Sequence, residues 1–140
     1  MTRFTFLAIS IVILLGVLAV TGCTYPKATE DYQSPWEKAK EAGIDLRAIG
    51  QEPGWYVEIK NGEQIHFVTD YGETQITAVV SEPEVDAKGV RTFRALTQAF
   101  DLMVLVEDKP HQDIMSGEEF PLTVTIKIGE QEYRGGGRNL

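Results

Sequence analysis

Trp55-Tyr56-Val57-Glu58-Ile59-Lys60-Asn61-Gly62-Glu63-Gln64-Ile65-His66-Phe67 decides the fold class. Trp55, Val57 and Ile59 fall on one side of an extended chain and Tyr56, Glu58 and Lys60 on the other, the period of a half-buried strand. Asn61-Gly62 is the strongest short hairpin signal. Ile65 and Phe67 then resume the inward face, which leaves His66 pointing outward.

The same grammar extends along the chain. Tyr71-Gly72 turns it, and Thr74 to Val80, rich in β-branched residues, makes a third strand. Glu82-Pro83-Glu84 interrupts the pattern and Lys88-Gly89 makes a turn, after which Val90 to Leu96 and Leu102 to Val106 read as strands. Leu122, Val124, Ile126 and Ile128 alternate with Thr123, Thr125 and Lys127, and Gly129-Glu130 turns into a last strand from Gln131 to Arg134. One helix precedes them. Ser34 is an N-cap, Pro35 fits the first helical position, Glu37 can close a capping box, and Gly43 stops the helix after Ala42. Seven to eight short strands joined by hairpins, with one short N-terminal helix, predict an all-β fold: a small antiparallel β-barrel or sandwich, since closure limits unpaired edges.

The chain has 140 residues, 43% of them apolar and 24% charged, enough for one domain with a modest core. The apolar residues are concentrated at the start. Phe4 to Val20 carries no charge, follows Arg3 and leads to Thr21-Gly22-Cys23. A charged start, a short apolar core and a small-residue end read as an export signal. Gly22-Cys23 resembles the bacterial lipobox, in which the cysteine receives a diacylglycerol and the chain is cut on its N-terminal side. Cys23 is the only cysteine, and a lone thiol in an exported protein calls for such a reason. The alternative is an uncleaved N-terminal anchor helix. The expected organisation is a lipoprotein signal peptide over 1–22, a flexible polar tether over 23–33 and one β domain over 34–140. Two or more acyl chains hold stably where one does not, so the expected location is the cell envelope, on a membrane through the N-terminal lipid. Thr24 stands where an aspartate would resemble an inner-membrane retention signal, which points to the outer membrane, facing the periplasm.

The formal net charge is −8, and loss of Arg3 with the signal would leave about −9. An acidic surface repels phosphate backbones and anionic headgroups. Nucleic acid is therefore an unfavourable partner and a basic protein a reasonable one. No feature speaks to the oligomeric state.

Two stretches resemble a family of uncharacterised bacterial envelope lipoproteins. Arg47 to Trp55, with Gly50-Gln51-Glu52-Pro53-Gly54-Trp55, is similar to its G-N-E-P-F-W segment. His111-Gln112-Asp113-Ile114-Met115-Ser116 is similar to its C-x-D-x-M-S segment, followed by an F-P-x-x-V-x-V strand seen here from Phe120 to Ile126. The family ends in Y-x-G-C-G, here Tyr133 to Gly137. The resemblance covers about Arg47 to Leu140 and extends in style to other small β-barrel lipoproteins, META-like domains and periplasmic lysozyme inhibitors among them. It implies that relatives join the positions of His111 and Gly136 by a disulfide that this chain has lost in both halves. A loop of about 25 residues closed in that way would contribute roughly 3 kcal/mol.

The candidate binding rim is Gln51, Glu52, Trp55, Asp113 and Ser116. In the alternative reading the 50–54 segment is a tight turn and Trp55 fills the core, the side its parity with Val57 and Ile59 assigns it. Asp113 is then a turn cap with Ser116. A hydrolytic or zinc site would combine His66 and His111 with Asp70, Asp113 or Glu52, but no pair has ligand spacing on a helix. Ser34, Ser81 and Ser116 lack a nucleophile-elbow context. Glu107, Asp108, Asp113, Glu118 and Glu119 crowd one connection without the spacing of an EF-hand loop. Gly135-Gly136-Gly137 has only three residues after it in this sequence, so no helix N-terminus follows to complete a phosphate loop; a close-packed strand end is the plainer reading. No cofactor or metal is expected.

Ser116-Gly117-Glu118-Glu119-Phe120 resembles the S-G-x-x-Y loop of inhibitors of c-type lysozyme, which insert a serine-bearing loop into the enzyme's cleft. Lysozyme is basic, so electrostatic steering suits the pairing. The expected function is a non-catalytic binding or structural module of the envelope, with c-type lysozyme inhibition as the alternative and a hydrolase or metal-dependent enzyme third.

Overall fold

The computed structural model describes residues 32–97 and 99–140. The proposed signal, the lipidation site at Gly22-Cys23 and nearly all of the tether lie outside the described residues. Within them, no helix is long and apolar enough to cross a membrane.

The domain begins with α1 (Pro35–Glu41). Ser34 Oγ accepts from the Glu37 amide, and the Glu37 carboxylate accepts from the Ser34 amide at 2.8 Å, the reciprocal capping box the sequence predicts. The Ser34 amide, helped by the Ser34 hydroxyl, holds the Glu37 carboxyl below its ordinary pKa. Gly43, at φ +74°, ends the helix in the left-handed conformation that glycine adopts without a β-carbon penalty.

Eleven strands follow among the described residues: β1 (Leu46–Gly50), β2 (Trp55–Lys60), β3 (Gln64–Thr69), β4 (Thr74–Val79), β5 (Glu84–Val85), β6 (Arg91–Leu96), β7 (Asp101–Glu107), β8 (His111–Gln112), β9 (Glu119–Phe120), β10 (Leu122–Ile128) and β11 (Gln131–Asn139). Nine form one antiparallel sheet in the order β4-β3-β2-β1-β11-β10-β7-β6-β5, and β8 and β9 form a separate hairpin. Among the described residues the fold is all-β, with one short α-helix. The sheet curls, bringing β4 near β6, so the inner faces meet in one core in the manner of a half-barrel. Ile59, Ile65, Phe67, Phe93, Leu102, Val104, Val124 and Ile126 are buried there, and the Phe67 ring lies 5.3 Å from Tyr133 and 6.1 Å from Trp55.

Two meanders, β1 to β4 and β5 to β11, join where the first strand pairs with the last. Leu46 pairs with Asn139, Ala48 with Gly137 and Ile49 with Gly136, and the Leu140 amide donates to the Asp45 carbonyl at 3.0 Å. The strand β1 is not announced by the sequence pattern of residues 46–50. Only Leu46 and Ala48 alternate inward there before Gly50 ends the run, too short a pattern to stand out. The Asn61-Gly62 turn is present as a three-residue connection, with Lys60 opposite Gln64 and the Glu63 amide donating to the Lys60 carbonyl at 3.0 Å.

Three adjacent glycines lie inside β11 because three neighbours leave no room for side chains. A β-carbon on Gly135 would stand 2.8 Å from Trp55 Cζ2, one on Gly136 2.7 Å from Phe120 Cβ, and one on Gly137 2.8 Å from Ala48 Cβ. Gly135 and Gly137 face the core and Gly136 faces out. The strand therefore runs through to Asn139, past the Arg134 limit expected from the sequence.

Candidate functional site: a cleft between two turns

The outer face of β11, β1 and β2 carries a ladder of rings and guanidinium groups. Arg138 lies over Phe120 and Trp36, at 5.2 and 4.6 Å from the ring centres, and Arg47 lies over Trp36 and Tyr56 at 5.7 and 4.6 Å. Arg47 is ion-paired with Glu58, and Arg138 with Glu118 at 2.6 Å. The register sets this up, since Arg138, Arg47 and Glu58 stand side by side on three neighbouring strands. Trp36 thus clamps α1 to the sheet, and Phe120 with Glu118 clamps the β8–β9 hairpin beside it.

That hairpin ends in a turn organised by Asp113. Its carboxylate accepts from the Ser116 hydroxyl at 2.5 Å and from the Met115 and Ser116 amides at 3.3 and 3.2 Å. The Asp113 carbonyl accepts from the Gly117 amide at 2.7 Å, and Ser116 Oγ accepts from the Glu118 amide at 3.2 Å. The Ser116 hydroxyl, helped by these amides and by Gln51, holds the Asp113 carboxyl below the usual carboxylate range. With every hydrogen bond turned inward, the aliphatic tip is left in solvent: Ile114 is 94% exposed and Met115 65%.

Between this turn and the end of β1 lies a cleft of about 300 Å³. Ile49, Gly50, Gln51 and Glu52 form one wall, His111 to Met115 the other, and Arg134 projects from β11. Continuing the β1–β11 register by two residues brings Gln51 opposite Arg134. Beside it, the exposed Tyr71 ring comes against Gly54, held by Asp70 and Tyr71 at φ 52° and 55°, left-handed positions uncommon for residues with a β-carbon.

Of the five candidate rim residues, Gln51, Glu52 and Asp113 line the cleft, and Ser116 stands behind it as the partner of Asp113. Trp55 does not belong to the rim. It is 5% exposed, packed under Gly50 and Gly135, the place its strand parity assigns it. His111 is in the cleft wall and pairs across the hairpin with Phe120, whereas Gly136 lies beneath the Phe120 ring. His66 is elsewhere, on the outer face of β3, with Nδ1 2.9 Å from Thr77 Oγ1. Asp70 accepts from Thr74 Oγ1 at 3.1 Å. Ser34 caps α1, and Ser81 lies in a second, small pocket with Glu82, Glu84, Thr92 and Arg94. Of the crowded acids, Asp108 is 3.8 Å from Arg91 and Glu118 is paired with Arg138. Among the described residues no three His, Cys, Asp or Glu side chains gather as a metal site.

The sequence reading missed Ile49, Ile114, Met115 and Arg134. Two isolated aliphatic residues inside a polar turn were the available signal for Ile114 and Met115. Arg134 could have been placed outward by its alternation with the inward Tyr133.

Compared with known proteins, the chain matches no family model, no curated protein and no solved structure.

Proposed function

We propose that this chain is a lipid-anchored protein of the bacterial cell envelope whose β domain is a non-catalytic binding module, with the cleft between the 49–52 and 111–115 segments as its site. One observation carries the binding role: two turns about 60 residues apart in sequence, each with unusual local chemistry, converge on the same concavity. The Gly22-Cys23 pair behind the apolar Phe4 to Val20 run supports the anchor, as does the absence of any second cysteine. Similarity to the envelope lipoprotein family at Gly50 to Trp55 and His111 to Ser116 supports the same assignment.

The chemistry of the cleft supports binding over catalysis. Asp113, which shares a cleft wall with His111, has its carboxyl held below the usual range by donors in its own turn, so it is poorly suited to take up a proton near neutral pH.

A fragment screen by NMR on the full chain in detergent tests the site. Fragments are expected to shift the amide signals of residues 49–52 and 111–115, and to lose that effect in Ile49→Trp, which fills the cleft. A screen in which no fragment touches these residues removes the reading. For the anchor, mass spectrometry of natively produced protein should find diacylglycerol on Cys23 and no residues before it.

Lysozyme inhibition remains the second reading, favoured by the bare Ile114-Met115 tip next to Ser116 on an acidic protein. Against it, the Ser116 hydroxyl is already engaged by Asp113 and Glu118 within the turn. A lytic assay with excess protein separates the two, because protection of cell walls belongs to the inhibitor alone.

A further inference from the structure

Five arginines lie among the described residues, and four have carboxylate partners: Arg47 with Glu58, Arg91 with Asp108, Arg94 with Glu84 and Arg138 with Glu118. Arg134 is the fifth, and no ion pair holds it among the described residues. Yet it lines the cleft together with two acids, Glu52 and Asp113. Asp113 is occupied by Ser116 and the Met115 amide, and Glu52 stays exposed without an ion-pair partner among the described residues. The concavity therefore offers an open guanidinium fork, whose planar donors match a carboxylate in two parallel hydrogen bonds.

The rest of the lining narrows the ligand. Ile49, Ile114 and Met115 offer aliphatic surface beside the fork. Gln51 and Gln112 carry amide groups that can both donate to and accept from a peptide bond. About 300 Å³ is the small end of ligand pockets, room for a chain end and not for a folded surface. A protein of formal charge −8 repels ligands with several negative charges at long range, so a single carboxylate needs a balancing cation, for which Glu52 is free.

We propose that the cleft binds the free C-terminus of a peptide of zero or positive net charge, with its terminal carboxylate on Arg134, an aliphatic last side chain against Ile49, Ile114 and Met115, and a basic group near Glu52. This rests on the cleft being the binding site.

The test uses the full chain in detergent and two probes, acetyl-Lys-Ala-Leu with a free carboxylate and the same peptide amidated, followed by NMR shifts at residues 49–52 and 111–115. The free acid is expected to bind about ten-fold more tightly than the amide. Arg134→Gln should bring the acid down to the amide's affinity and leave the amide unchanged, while the Lys127→Gln control on the outer face of β10 keeps the difference. Equal binding of acid and amide at the cleft overturns the carboxylate assignment and leaves the site standing. Fragment binding at the cleft with no response to either peptide overturns the peptide class. Silence from peptides and fragments alike overturns the site itself.

Discussion

Phe120 lies across the bare backbone of Gly136, so closely that a β-carbon on the glycine would stand 2.7 Å from Phe120 Cβ and deeper still among the ring atoms. The same ring is 5.8 Å from Trp36 and pairs through its backbone with His111. One aromatic residue thus ties the last strand, the N-terminal helix and the wall of the cleft together. Gly136 is the floor that lets it do so.

Gly136→Ala is therefore expected to destabilise the domain by about 1–3 kcal/mol, the usual range for forcing a methyl group into a packed site. Pairing it with Phe120→Ala should recover part of that loss, because the clash disappears with the ring. Urea unfolding of the two single variants and the double variant measures the coupling. Additive losses would mean that Phe120 does not occupy the space above Gly136.

The disulfide that the sequence resemblance implies between positions 111 and 136 can be tested on this fold. β8 and β9 both pack against β11, and His111 is the cross-strand neighbour of the residue that covers Gly136. In His111→Cys with Gly136→Cys, the sulfur at 136 must displace the Phe120 ring before it can reach its partner. Oxidation should accordingly be slow in that variant and faster once Phe120→Ala is added, as read by thiol titration over time. Two thiols that persist in both backgrounds would refute the pairing.

Trp36 offers a third test. Its ring meets two guanidinium groups, at 4.6 Å from Arg138 and 5.7 Å from Arg47. α1 has seven residues, too few to hold as an isolated helix. With two cation–π contacts of about 0.5–1 kcal/mol each and the loss of buried ring surface, Trp36→Ala should cost about 2 kcal/mol. The loss should be local first: amide exchange of residues 35–42 speeds up, while Val57, Ile126 and the other core amides keep their protection.

Local pattern carried the reading of the sequence as far as local physics reaches. Ser34, Pro35 and Glu37 announce a helix start by their own hydrogen-bonding chemistry, and Trp55, Val57 and Ile59 announce a strand and its buried face by alternation. Neither reveals which strands become neighbours. The cleft exists because β1 pairs with β11, a contact between residues about 90 positions apart, and because a two-residue strand, too short to have a period, folds the 113–118 turn back towards Gln51. Gln51, Glu52 and Asp113 could be singled out by residue type. Their meeting, and the entry of Arg134 beside them, depend on register that no short window encodes.

The pH response of the 113–118 turn follows from the donors around Asp113. Its carboxyl is held below the ordinary value of about 3.9 chiefly by the Ser116 hydroxyl. When the turn opens, the released carboxyl returns towards that ordinary value and takes up a proton more readily. The contribution of these hydrogen bonds is thus fully present above the ordinary carboxylate pKa and is lost as pH falls through the lowered folded value. Amide exchange at Met115 and Ser116 should stay slow from neutral pH down to the ordinary carboxylate range and rise, relative to core amides such as Val124, only in more acid solution. Ser116→Ala removes the principal donor, so the Asp113 titration followed by carboxyl-carbon NMR should move upward towards the ordinary value, and the acid-dependent part of the loosening should shrink. Asp113→Asn, which cannot ionise, should remove the acid-induced rise of these two amides relative to the core amides. If Ser116→Ala leaves the Asp113 midpoint where it was, the hydroxyl is not what holds the carboxylate, and the inward-turned geometry that exposes Ile114 and Met115 must have another cause.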